Sequence, residues 1–145
     1  MARTLTDRAR RYLAAFEEET GATGVDCVVL EDDDDGDQRV LIVVAAGEMG
    51  EAIGPGGRRI ERFESSVGAD VSLVEDAATA ADFVANALAP AAVYNVTISE
   101  NDDCVAYVEV DDADRGVAIG ADGRNIEAAR LLAARHFDID DVQLT

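Results

Sequence analysis

The chain has 145 residues, 31 acidic and 12 basic, for a formal net charge of −19. Its 48% apolar content is enough to build a core, which excludes a disordered acidic tail, and its length predicts one domain or two small ones. No apolar run approaches the ~20 residues of a membrane span, and no signal-peptide stretch follows Met1. Two cysteines, Cys27 and Cys104, cannot alone make a disulfide framework or a four-ligand zinc site, and read as reduced thiols of a cytoplasmic protein.

All 12 basic residues are arginine. The acidic residues are spread along the chain instead of being gathered in one block, which argues against a dedicated acidic face for a basic partner. At ~1 M salt the screening length falls to ~3 Å and self-repulsion largely disappears. The pattern therefore predicts adaptation to a very salty cytoplasm.

The elements follow in order. Leu5, Ala9, Tyr12, Leu13 and Phe16 form one helical stripe, with Thr6 as cap and Gly21 as stop. Residues 25–30 and 40–46 read as strands joined by the acidic turn at residues 32–37. That turn lacks the Glu of a calcium loop, because Ile42 stands at its place. A short helix over residues 48–53, a glycine loop, a helix over residues 58–67 closed by Gly68, and a strand over residues 70–74 complete one set. The second set begins with a helix over residues 77–88 capped by Asp76. It continues with strands over 93–99 and 104–110, and a short helix capped by Asp112 and ending at Ile119. A second glycine loop, a long helix to His136 and a strand near residues 142–144 close the chain. No Pro/Ser/Gly linker divides the halves, which predicts a rigid tandem.

The order helix-strand-strand-helix-helix-strand thus occurs twice. Shifted by 66 residues, Gly50, Ala52, Ile53, Gly54, Gly57, Arg58, Ile60 and Glu61 fall on Gly116, Ala118, Ile119, Gly120, Gly123, Arg124, Ile126 and Glu127. Four G-x-x-G spacings occur in the chain. Those at Gly21 and Gly47 read as punctuation. Only those at Gly54 and Gly120 join two helices, follow an Ile and precede an Arg. Glycines without Cβ let a phosphate approach the backbone, and the next helix presents free N–H groups and the positive end of its dipole. Arg58, Arg59 and Arg62 surround the first loop; Arg115, Arg124, Arg130 and Arg135 lie near the second. Neither loop has the Gly-Lys-Ser/Thr of a P-loop or the third glycine of a dinucleotide fingerprint. No convergent His, Cys, Ser or carboxylate set suggests catalysis.

Ile53-Gly54-Pro55-Gly56-Gly57-Arg58-Arg59-Ile60 and Ile119-Gly120-Ala121-Asp122-Gly123-Arg124-Asn125-Ile126 resemble the I-G-x-x-G-x-x-I core of KH domains. The element order resembles their type II variant. Two such units, with Asn86-Ala87-Leu88-Ala89-Pro90 between them and His136-Phe137-Asp138-Ile139-Asp140-Asp141-Val142 at the end, resemble the archaeal NusA-like family, and the acidity a haloarchaeal member.

The resemblance implies an α/β (α+β) fold of two tandem type II KH domains, residues 1–76 and 77–145, each αββααβ with a three-stranded sheet. It implies a non-catalytic, cytoplasmic factor, monomeric and without cofactor or metal. That factor would bind single-stranded RNA through the sixteen residues of the two motifs, and act with RNA polymerase in transcription elongation, termination or antitermination. KH loops clamp about four nucleotides by their backbone. Bases would lie on apolar grooves lined by Val44, Ile53 and Ile60, and by Val110, Ile119 and Ile126. Two departures stand out: Pro55 lacks an N–H, and Asp122 sets a negative charge where a phosphate would sit. The alternatives are a ribosome-associated or RNA-processing KH protein, or a protein-interaction scaffold with inert loops.

Overall fold

The computed structural model describes residues 4–31 and 38–145; the expected acidic turn at residues 32–37 lies outside them. The described residues divide into two compact units, Thr4–Asp76 and Ala77–Thr145.

The first unit runs α1 (Asp7–Thr20), β1 (Gly24–Glu31), β2 (Gln38–Val44), α2 (Met49–Ile53), α3 (Arg58–Val67) and β3 (Asp70–Glu75). The Thr6 hydroxyl accepts from the Ala9 N–H at 3.0 Å, and left-handed Gly21 closes α1 by donating to Glu17 O at 2.9 Å. Strand β2 is central, antiparallel to β1 and parallel to β3. Alternation along the strands sends Cys27, Val40, Ile42 and Val44 to the face that packs with Ala9, Leu13, Phe16 and Phe63. Phe16 and Phe63 meet edge-to-face at 5.4 Å, locking α1 to α3.

The second unit repeats this with α4 (Ala80–Ala87), β4 (Val93–Glu100), β5 (Cys104–Val110), α5 (Arg115–Ile119), α6 (Arg124–Phe137) and β6 (Asp141–Leu144). Its sheet has the order β4-β5-β6, antiparallel then parallel. Phe83 of α4 stacks on His136 at 5.1 Å and meets Phe137 at 5.2 Å. The chain's one histidine is thus a packing ring. The two tandem αββααβ units with three-stranded sheets are the fold read from the sequence.

Two helix starts differ from expectation. Helix α4 begins at Ala80, because the Asp76 N–H donates to Val44 O at 2.8 Å and prolongs the β3 ladder. Thr79 is its cap, accepting from Asp82 N at 3.2 Å. Before α5, the cap is Asp111 and not Asp112: its Oδ1 accepts the Ala113 N–H at 2.9 Å and opens a single 3₁₀ turn ahead of the helix.

Candidate nucleic-acid interface

Each glycine loop is a left-handed corner between two helices. Gly54 has φ 74° and ψ 172°, and Gly120 has φ 80° and ψ 171°, a region open only to glycine. Space imposes the same choice. A Cβ on Gly54 would lie 2.6 Å from Arg59 Cγ, and one on Gly120 2.8 Å from Asn125 Cβ. The third residue of each loop is also left-handed: Gly56 at φ 63° and Asp122 at φ 55°. Asp is among the few side-chain-bearing residues that tolerate this geometry.

The helices that follow begin without a side-chain cap, at Gly57 for α3 and Gly123 for α6, whereas α1 and α4 carry threonine caps. The first N–H of each, on Arg58 and Arg124, donates to Pro55 O and Ala121 O; no side-chain cap competes with an incoming anion for the donors that follow or for the positive dipole end.

One side chain ties each loop down. The Arg59 guanidinium donates to Glu51 O at 2.9 Å and to Thr20 O at 3.5 Å, and pairs with the Glu51 carboxylate at 3.3 Å. Asn125, its counterpart, donates to Ala118 O at 3.2 Å, and to Val117 O and Leu88 O, both at 3.4 Å. In each unit the tie joins the loop to the short helix before it and to the end of the unit's first helix. The backbone acceptors Thr20 and Leu88 were missed by sequence reasoning. The detectable signal was the paired change between repeats, Glu51 with Arg59 in one and Val117 with Asn125 in the other.

The arginines sort accordingly. Near the second loop, Arg115 donates to Thr145 O at 2.8 Å, and Arg130 pairs with Glu127 at 2.7 Å and Asp141 at 2.9 Å. Arg124 and Arg135 also have interactions within the protein. Near the first loop, Arg58 and Arg62 are exposed, and among the described residues neither guanidinium has a hydrogen bond or ion pair.

Pro55, Gly56, Ala121 and Asp122 are exposed at the loop tips, and Gly57 and Gly123 are half-buried. Ile53 and Ile119 are 40% and 39% exposed beside them, and Ile60 is half-buried. Val44, Val110 and Ile126 are buried, so they belong to the core and offer no open groove wall. No group of three metal-ligating side chains occurs among the described residues, and no described helix is long and apolar enough to cross a membrane.

Residues 10–78 match the model of the KH domain, and residues 80–144 that of the NusA-like second KH domain. The chain is 65% identical to a probable transcription termination protein NusA of Halobacterium salinarum, covering 97% of each chain. It is 60% identical to the same-named protein of Halococcus morrhuae, again over 97% of each. The crystal structure of APE1850 superposes with a TM-score of 0.81 at 29% identity, covering 97% of this chain and 100% of that one. The duplicated glycine loop between uncapped helices is thus the core of two KH domains, and the chain belongs to the archaeal NusA-like family, with haloarchaeal proteins among its high-identity relatives.

Proposed function

We propose that this chain is a non-catalytic transcription factor that binds single-stranded RNA and acts on the transcription complex in elongation, termination or antitermination. It would work in the cytoplasm as a monomer without cofactor. The observation that carries this is the duplicated loop: a left-handed glycine corner feeding an uncapped helix, held by an inward tie. The names of the relatives, probable transcription termination proteins, supply the cellular context. Residues 53–60 are the principal RNA site and residues 119–126 the weaker one. The first motif has free arginines beside it, whereas the second carries Asp122 and has its neighbouring arginines engaged. In molar salt, phosphate charge contributes little. About four phosphate contacts would lose on the order of 10⁴-fold in affinity between 0.1 and 3 M. Binding then rests on backbone hydrogen bonds and on stacking by arginine and apolar surfaces.

Gly56→Asp tests the loops, because Asp122 shows that this backbone accepts an aspartate. The variant should lose most RNA affinity at high salt, and Ala121→Asp little. Equal losses would mean that both loops carry RNA. No loss in either, with the fold intact, would favour the scaffold reading, which Asp122 supports for the second unit. RNA crosslinked in native cells should be nascent transcripts; ribosomal RNA would move the factor to the ribosome.

A further inference from the structure

We propose that the first unit holds a second phosphate of the same RNA strand beside its loop, in the groove between α3 and the C-terminal end of α1, with Arg58 and Arg62 as ligands. This rests on the RNA reading of the loop given above.

The groove is open, encloses about 580 Å³, and is lined by Glu19, Arg58, Glu61, Arg62, Ser65 and Ser66. Arg58 and Arg62 stand one helical turn apart on the same face of α3, so their guanidiniums form a two-point cationic edge leading away from the loop. Among the described residues neither has a partner, although Glu19 and Glu61 line the same groove. Three other arginines near the loops are held within the protein: Arg59 on the loop tie, Arg130 on β6, Arg115 on Thr145. In a chain of net charge −19, two adjacent uncommitted guanidiniums make a local site for an anion. Guanidinium forks match phosphate bidentately, which keeps part of the interaction when salt screens charge.

The adjoining flank of α3, toward β3, shares Glu61 and Ser65 with this groove and would repel a phosphate. There a larger concavity, about 760 Å³, is lined by Glu61, Glu64 and Asp70 with Gln38 and Ser65. A strand leaving the loop therefore finds two guanidiniums offsetting Glu19 and Glu61 on the α1 side, and carboxylates with no cation on the β3 side.

The repeat shows that the fold does not need this pair. At the positions of Arg62, Ser65 and Ser66, helix α6 has Ala128, Leu131 and Leu132, with Ala128 and Leu132 buried. The same helix in the same architecture manages without the second arginine. The cationic edge is thus a property of the first unit alone, on the loop side that carries no aspartate.

The test is binding of a randomised single-stranded RNA pool to the full chain between about 0.5 and 3 M salt, where each phosphate neutralised on a single strand contributes a slope of about −0.7. Arg62→Gln should lower affinity on the order of fivefold at the low end and make the slope shallower by about 0.7. Arg58→Gln should do the same, and Arg62→Lys should keep the slope. Arg10→Gln, on the far side of α1 from Glu19, should change neither. An Arg62→Gln variant with the wild-type slope overturns the groove even if its affinity falls, since Arg62 would then act through the fold. An equal effect of Arg10→Gln overturns it too, as a bulk charge effect. If the wild-type chain binds no RNA, the loop reading and the groove both fall. If Gly56→Asp abolishes binding while Arg62→Gln leaves it untouched, only the groove does.

Discussion

Arg59 and Asn125 occupy the same place in the two repeats and perform the same task with different chemistry: each donates to a carbonyl of the short helix before its loop, Glu51 O at 2.9 Å and Ala118 O at 3.2 Å. Arg59 Nη1 is thus committed to the loop tie, and substitutions here are expected to act through the fold of the loop. Arg59→Ala should loosen the first loop and cost about 1 kcal/mol, the scale of a half-exposed charged hydrogen bond. Arg59→Asn, the solution used by the second repeat, should restore most of it. Thermal melts read the stability. RNA titration reads the role, because neither variant should alter the salt slope. A shallower slope for Arg59→Asn would show that this arginine touches phosphate.

The glycines of one loop should differ in what they tolerate. Gly54→Ala combines a glycine-only backbone with a 2.6 Å approach to Arg59 Cγ, and should cost about 3 kcal/mol. Gly57→Ala meets nothing closer than Glu61 Oε1 at 3.8 Å and pays only for its left-handed φ, about 1 kcal/mol. Denaturant titration should rank them in that order; equal losses would remove the close-approach argument.

The hydrogen bond between the Tyr94 hydroxyl and Asp111 makes a pH prediction. Tyr94, then the Ala113 N–H, hold the Asp111 carboxyl below the usual carboxylate range, and the same bond raises Tyr94 above that of an ordinary phenol. A carboxyl depressed in the folded state contributes stability that is full above its unfolded pKa, about 3.9, and is lost as pH falls through the lower folded value. The stability gap between wild type and Asp111→Asn should therefore be present at neutral pH and close below about pH 4. In Tyr94→Phe, the Asp111 carboxyl should titrate closer to the ordinary value by NMR. An unmoved titration would refute the assignment.

Salt should govern the folding of the whole chain. With a net charge of −19 and no lysine, self-repulsion is strong in dilute buffer and screened within ~3 Å at ~1 M. Dialysis from molar salt into dilute buffer should lower the helical circular dichroism signal and the melting temperature. A melting temperature constant over that range would contradict the halophilic reading of the composition.

Much of this was legible in the residues because it is local. Apolar periodicity gave α1 and the strands, and α3 falls on Arg58–Val67 as read, because Gly57 and Gly68 bound it in left-handed conformations. The helix starts at Asp76 and Asp112 differ from the reading for two reasons, one tertiary and one local. The first is held by a ladder bond to Val44 and the second yields to Asp111, and several acidic residues in a row are equivalent as cap candidates. The loops were visible as a repeat, but the direction of Arg59 was not. Adjacent arginines look alike in sequence, and only the carbonyls of Glu51 and Thr20 separate the inward Arg59 from the outward Arg58. Apolar identity likewise could not distinguish exposed Ile119 from buried Ile126.

The left-handed third loop position limits how such a protein could change its affinity over generations. At residues 56 and 122 the backbone favours glycine, asparagine and aspartate, and a lysine or arginine there would be strained. Mutation can make this point neutral or acidic with little penalty, whereas a basic side chain would add the cost of a left-handed φ, about 1 kcal/mol. A lineage gaining grip on nucleic acid is steered to position 121 or to the helix beyond, and the one losing it can do so in a single step. The second loop already carries an aspartate at that point.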